Sequence, residues 1–123
     1  MAKPKINGRT KGHSWERKTA NILTEATGVK AIRLLEYQAG FGIDIKTETP
    51  IAVQCKCGKS TVKAFDGYLE AVRSTRGSTP GVIPACFFKW SWQGKDPNQK
   101  RGEYVVLSVE DFMEIFTSYL NSK

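Results

Sequence analysis

No apolar run in this chain approaches the roughly 20 residues needed to span a bilayer, and its basic N-terminus, MAKPKINGRTKG, lacks the apolar core of a signal peptide. Membrane insertion is not expected, and the cytoplasm (the host's, for a viral protein) is the expected compartment. Cysteine is scarce, with three residues, and an odd number without a secretion signal argues against a disulfide framework. Zinc would be another use for them. Cys55 and Cys57, however, fall in strand register beside Ile51 and Val53, and Cys86 lies in an apolar run, so all three read as small buried hydrophobes with reduced thiols. Histidine occurs once, as His13, read as a surface or cap residue. Internal repeats, low-complexity tracts and a P-loop lysine pattern are all missing. Acidic residues are the minority, 12 against 19 Lys and Arg, for a formal charge of +7. A basic surface attracts polyanions over a Debye length, which makes nucleic acid the leading partner.

What is present is the composition of an ordinary globular chain, 40% hydrophobic and 25% charged over 123 residues, which suits one domain with one core. Residues 1–12 combine Lys3, Lys5, Arg9 and Lys11 with Pro4, Gly8 and Gly12. They read as a flexible basic arm that contacts phosphates, ahead of a single domain over 13–123. Trp15, Thr19, Ile22, Leu23 and Ala26 then recur at helical spacing, with Ser14 as N-cap and Gly28 as stop. Glu16 borders this stripe, while Arg17 and Lys18 point further round, toward solvent or phosphate.

The run VKAIRLLEY, 29–37, reads as a strand, followed by a glycine-spaced loop over 38–42. A second helix is expected over 64–76, with Phe65, Tyr68, Leu69 and Val72 at helical spacing and a firm stop at GSTPG, 77–81. Lys59 precedes it and is a further candidate phosphate contact. IPACFFKWSW, 83–92, fits a buried strand whose Trp90 and Trp92 read as packing residues rather than base-stacking platforms. After a polar loop over 93–101, EYVVL (103–107) reads as another strand. Ser108 caps a last helix striped with Phe112, Ile115, Phe116, Tyr119 and Leu120.

The chemistry concentrates in GFGIDIKTETPIAVQCKCGK, 40–59. Period-two alternation over 43–45 and 51–57 gives two strands around the polar, proline-marked turn 47–50. Side chains alternate across a strand, so Ile51, Val53, Cys55 and Cys57 share one face and Ala52, Gln54 and Lys56 the other, with Asp44 on the neighbouring strand. Gln54 and Lys56 then stand roughly 7 Å apart along one face, a gap that a metal ion and a phosphate can fill. By itself, a D…Q-x-K pattern also describes an edge strand with a solvated polar face.

The order αβββαββα, with Glu16 on the first helix, Asp44 on the second strand and Gln54-x-Lys56 on the third, resembles the PD-(D/E)XK nuclease superfamily, and within it the small Holliday junction resolvases of archaea and bacterial viruses. The residues that carry the likeness are Trp15-Glu16-Arg17-Lys18, Gly40-Phe41-Gly42-Ile43-Asp44 and Ile51-Ala52-Val53-Gln54-Cys55-Lys56. It implies an α/β, restriction-endonuclease-like core, a mixed five-stranded sheet flanked by helices, and metal-dependent cleavage of four-way DNA junctions by a homodimer. Two departures stand out: Ile43 replaces the proline that often precedes the aspartate, and Gln54 replaces the usual Glu or Asp.

The resemblance assigns Asp44, the Gln54 amide oxygen, the Cys55 backbone carbonyl and Glu16 to Mg²⁺ or Mn²⁺, and makes Lys56 the group that orients the attacking water or offsets charge on the phosphate. An amide oxygen ligates hard cations but brings no charge, so weaker metal affinity is expected. Non-catalytic nucleic-acid binding by a protein that keeps the fold is the alternative, and a basic RNA-binding domain is a third. The aromatic residues of 87–92 and the last helix are the expected dimer surfaces.

Overall fold

The computed structural model describes residues 8–34, 43–75, 81–90 and 102–123. Among them the chain runs α1 (Gly8–Thr27), β1 (Ala31–Arg33), β2 (Ile45–Thr47), β3 (Ile51–Gly58), α2 (Val62–Ser74), β4 (Ile83–Trp90), β5 (Glu103–Val106) and α3 (Val109–Asn121). This is the expected α/β class and element order. The strands form one five-stranded sheet in the order β1-β2-β3-β4-β5. Only β3 and β4 pair parallel; every other neighbour is antiparallel. Parallel neighbours cannot be joined by a tight turn, and α2 supplies the crossover between them.

The period-two alternation of β3 decides which helix covers which residues. Val53 and Cys55 face α1, where they pack with Trp15, Ala20, Ala31 and Ile45. The opposite face belongs to α2, where Ala64 packs with Cys86 and Phe88, and Gln54 stands beside Cys86 in the parallel register. Full burial of an aliphatic side chain such as Ile45 or Val53 stabilises by about 1.5–3 kcal/mol. Two polar devices fix α1 on its face. Trp15 Nε1 donates to the Phe87 carbonyl at 2.8 Å, and Thr24 Oγ1 accepts from Ala31 N at 2.9 Å while donating to Ala20 O. Gly28 ends the helix in the left-handed region (φ 73°), where a side chain is strained.

Several boundaries differ from the sequence expectation. Helix α1 begins at Gly8, so Ser14 lies inside it rather than capping it, and His13 and the 8–12 part of the expected arm are helical. Residues 1–7, including Lys3 and Lys5, lie outside the described residues, as do the glycine loop 38–42, Trp92 and the loop 93–101. Asp44 immediately precedes β2 instead of sitting within it, and β1 is short.

The packing face of α2 is corrected more deeply. Its buried residues are Ala64, Gly67 and Ala71; of the expected apolar stripe Tyr68 packs on the core beside them, Leu69 and Val72 are half-buried, and Phe65 is exposed. Small residues win because the helix must approach the Lys56 stem and Cys86 closely. The aromatic residues of β4 are core rather than dimer surface: Phe88 is buried, and Phe87 and Trp90 pack on the two sides of the sheet. The capping residue of α3 is as expected, with Ser108 Oγ accepting from Asp111 N at 3.0 Å. Among the described residues no helix is long and apolar enough to cross a membrane.

Candidate active site

Asp44 is held by the backbone on both sides. Its N–H donates to the Val53 carbonyl at 2.8 Å, and its carbonyl accepts from Leu34 N at 2.9 Å, so the residue bridges the ends of β1 and β3. Its carboxylate Oδ2 accepts from Cys55 N at 2.7 Å. Burial pushes the carboxyl up from its ordinary 3.8 to about 6. The Cys55 N–H opposes that rise, the negative charges of Glu16 and Glu70 add to it, and Lys56 opposes it. A carboxyl with this environment gains from any cation placed beside it, because desolvation penalises its charged form.

Gln54 is 6% exposed, and its Oε1 is fully buried with no hydrogen-bond partner among the described residues. Leaving a buried acceptor unpaired costs about 1–3 kcal/mol, so such an atom calls for a function or a ligand. Asp44 and Gln54 therefore fit a hard divalent cation by donor type, both offering oxygen. The thiols do not: burial pushes Cys55 far above its ordinary range and Cys86 up to about 12, which keeps both neutral. All three cysteines are free, and the Thr19 hydroxyl contacts the Cys55 thiol.

Glu16 and Lys56 sit where the sequence pattern places them, but each already has a partner. Glu16 Oε2 accepts from Arg33 Nε at 2.6 Å, a largely buried ion pair. Lys56 Nζ lies 3.2 Å from Glu70 Oε1 on α2. Among the described residues no group of three or more His, Cys, Asp or Glu side chains could hold a metal ion. Glu16, Lys56 and Glu70 are nonetheless all near enough to Asp44 for their charges to act on it. Arg33 and Glu70 are the residues that sequence reasoning missed. Neither belongs to a motif, and only the fold brings them to the centre.

Gly67 was missed as well, although Ala64, Gly67 and Ala71 at i, i+3 and i+7 form a legible small-residue stripe. A Cβ at Gly67 would stand 2.6 Å from Cys86 Sγ and 2.7 Å from Lys56 Cγ. Gly67→Ala is thus expected to destabilise the fold by about 1–3 kcal/mol, as overpacked cores do, and to displace the Lys56 stem. Urea unfolding of the two proteins checks this, and an unchanged midpoint would show that α2 rides further from β3 than described.

Of the candidate DNA contacts, Arg17 and Lys59 are exposed. Lys18 is exposed but engages Glu103 at 2.5 Å. Arg9 and Lys11 fall on the first turns of α1. No protein-family model matches this chain, and no curated protein matches it.

Proposed function

We propose that this protein is a metal-dependent endodeoxyribonuclease, acting in the cytoplasm on branched DNA, with the four-way junction as its favoured substrate. The observation that carries the reading is the pairing of Asp44, a desolvated carboxylate, with the buried and unpartnered Gln54 amide oxygen across the β2–β3 end, next to Lys56. Asp44 and Gln54 would hold Mg²⁺ or Mn²⁺, with the Cys55 carbonyl as a backbone ligand and Glu16 reaching the site once released from Arg33. Such an ion, when bound, supplies Lewis acidity toward the phosphodiester and acidifies water.

The chain's own groups do the rest. Asp44 is ionised above about pH 6 and supplies the fixed negative charge of the site. Lys56, on a stem lodged over Gly67, presents an ammonium that orients water or balances charge building on the phosphate. Glu70 parks that ammonium until substrate phosphate competes for it. Arg17, Lys59 and the basic residues of 1–12 grip the backbone, a contact that carries no sequence preference.

The test incubates the protein with an end-labelled four-way junction and a matching linear duplex, each with Mg²⁺, Mn²⁺ or EDTA. Paired symmetric nicks in the junction and metal lanes alone are expected. A second reading, DNA binding without catalysis, draws on a specific feature: both Glu16 and Lys56 are already ion-paired. Retention of the junction without nicks in any metal lane would decide for it.

A further inference from the structure

Asp44 and Gln54 by themselves are a poorly charged pair for a divalent cation. Asp44 brings one negative charge and the Gln54 amide none, while Glu16 is neutralised by Arg33 at 2.6 Å. Affinity for hard cations rises with the number of charged oxygen ligands, so the site is short of one carboxylate. Among the described residues, Glu70 is the further acid whose charge reaches Asp44. Its place in the fold follows from the crossover: β3 and β4 are parallel, so α2 must run back along β3. Gly67 packs against Lys56 and Cys86, and Cys86 is in register with Gln54. The next turn of α2 therefore carries Glu70 over the face of β3 that presents Gln54 and Lys56, and its Oε1 lies 3.2 Å from Lys56 Nζ.

We infer that Glu70 is the second acid of this site: from α2 it supplies the negative charge that Gln54 does not bring on β3, and it binds a divalent cation together with Asp44 and the buried Gln54 oxygen, which has no partner among the described residues. The inference rests on the metal reading of Asp44 and Gln54, but not on the choice of substrate. Lys56 holds the Glu70 carboxylate as the chain stands. An ammonium that turns to a substrate phosphate releases that carboxylate to the cation, so DNA and cation each tighten the binding of the other, as reciprocal linkage requires. The plain alternative is that Glu70 only steadies Lys56, through a partly exposed ion pair of the kind that contributes less than about 1 kcal/mol.

Calorimetric titration of the full chain with MnCl₂, without DNA, separates the two. Glu70→Gln is isosteric at a side chain 36% exposed, so the circular dichroism spectrum should not change. Its Mn²⁺ affinity should fall by about tenfold or more, since even a group that only orients a metal ligand contributes that much. Adding Gln54→Glu should recover most of the loss by returning the charge to β3, which a purely structural Glu70 would not allow. Lys56→Met, which frees Glu70, should tighten Mn²⁺ binding in the wild-type background and gain much less beside Glu70→Gln. A Glu70→Gln protein that binds Mn²⁺ as the wild type does overturns the inference and leaves Asp44 and Gln54 as ligands. So does a folded double variant that Gln54→Glu fails to rescue. Should Gln54→Glu unfold the chain, the Lys56→Met comparison decides, and an equal gain with and without Glu70 overturns the inference. A wild type that takes up no Mn²⁺ removes the metal reading and this inference together, whereas the expected Mn²⁺ affinities without junction cleavage uphold Glu70 and refute the nuclease.

Discussion

Replacing Lys56 by methionine is expected to lower metal-dependent cleavage by about 100- to 1000-fold, the usual effect of deleting one group aimed at transition-state charge, while junction affinity stays close to wild type. Methionine keeps the apolar stem that lies over Gly67, and the Lys56–Glu70 pair it removes is partly exposed. Such a pair contributes less than about 1 kcal/mol, so the fold should be little affected. Binding measured by gel retardation and cleavage measured on the same junction should therefore separate. Equal cleavage by the two proteins would refute the role given to Lys56.

Asp44→Asn is expected to behave in the opposite sense on stability and in the same sense on activity. Asp44 is an acid whose folded-state pKa, about 6, stands above its ordinary 3.8. The folded chain therefore holds this proton more tightly than the unfolded chain does. Its stabilising contribution is full below about pH 3.8 and is lost as pH rises through about 6. At neutral pH the ionised carboxylate is a burden, and the neutral amide, which can still accept from Cys55 N, should relieve it by about 1–3 kcal/mol.

The variant should thus melt several degrees higher at pH 7, yet cleave nothing. Saturating Mg²⁺ should raise the melting temperature of the wild type and leave that of Asp44→Asn where it was, since a ligand stabilises only the state that binds it. An Asp44→Asn protein that cleaves at the wild-type rate would put the site elsewhere, and one that melts lower would deny that burial strains the carboxylate. Removing a functional charge commonly gains stability in this way, because active sites hold groups that folding alone would not choose.

Much of the architecture could be read from periodicity. The eight elements appear in the expected order, β3 is misjudged by a single residue at its end, and Ser108 caps α3 as the Ser-x-x-Asp pattern implies. These features are local. A strand's alternation or a cap's side chain to N–H bond is complete within a few residues, so the chain carries its own instruction. The phasing of α2 was one residue out, with Tyr68 on the packing side but Phe65 exposed, for the complementary reason. Its bulkiest apolar residues look like the buried stripe, but the sheet face it covers carries the Lys56 stem and Cys86, and only Ala64, Gly67 and Ala71 let the helix come close enough.

The candidate site divides along the same line. The sequence alone nominated the candidate groups, Glu16, Asp44, Gln54 and Lys56, and determined that β3 sets Gln54 and Lys56 on one face, because strand geometry is a property of the local backbone. Tertiary structure alone decided the company they keep. Arg33 reaches Glu16 from 17 residues away, Glu70 meets Lys56 from α2, and the enclosure of Asp44 and Gln54 raises one carboxyl and leaves one amide oxygen unpaired. Burial and long-range charge depend on which surfaces the whole chain folds together, and no pattern confined to neighbouring residues encodes that.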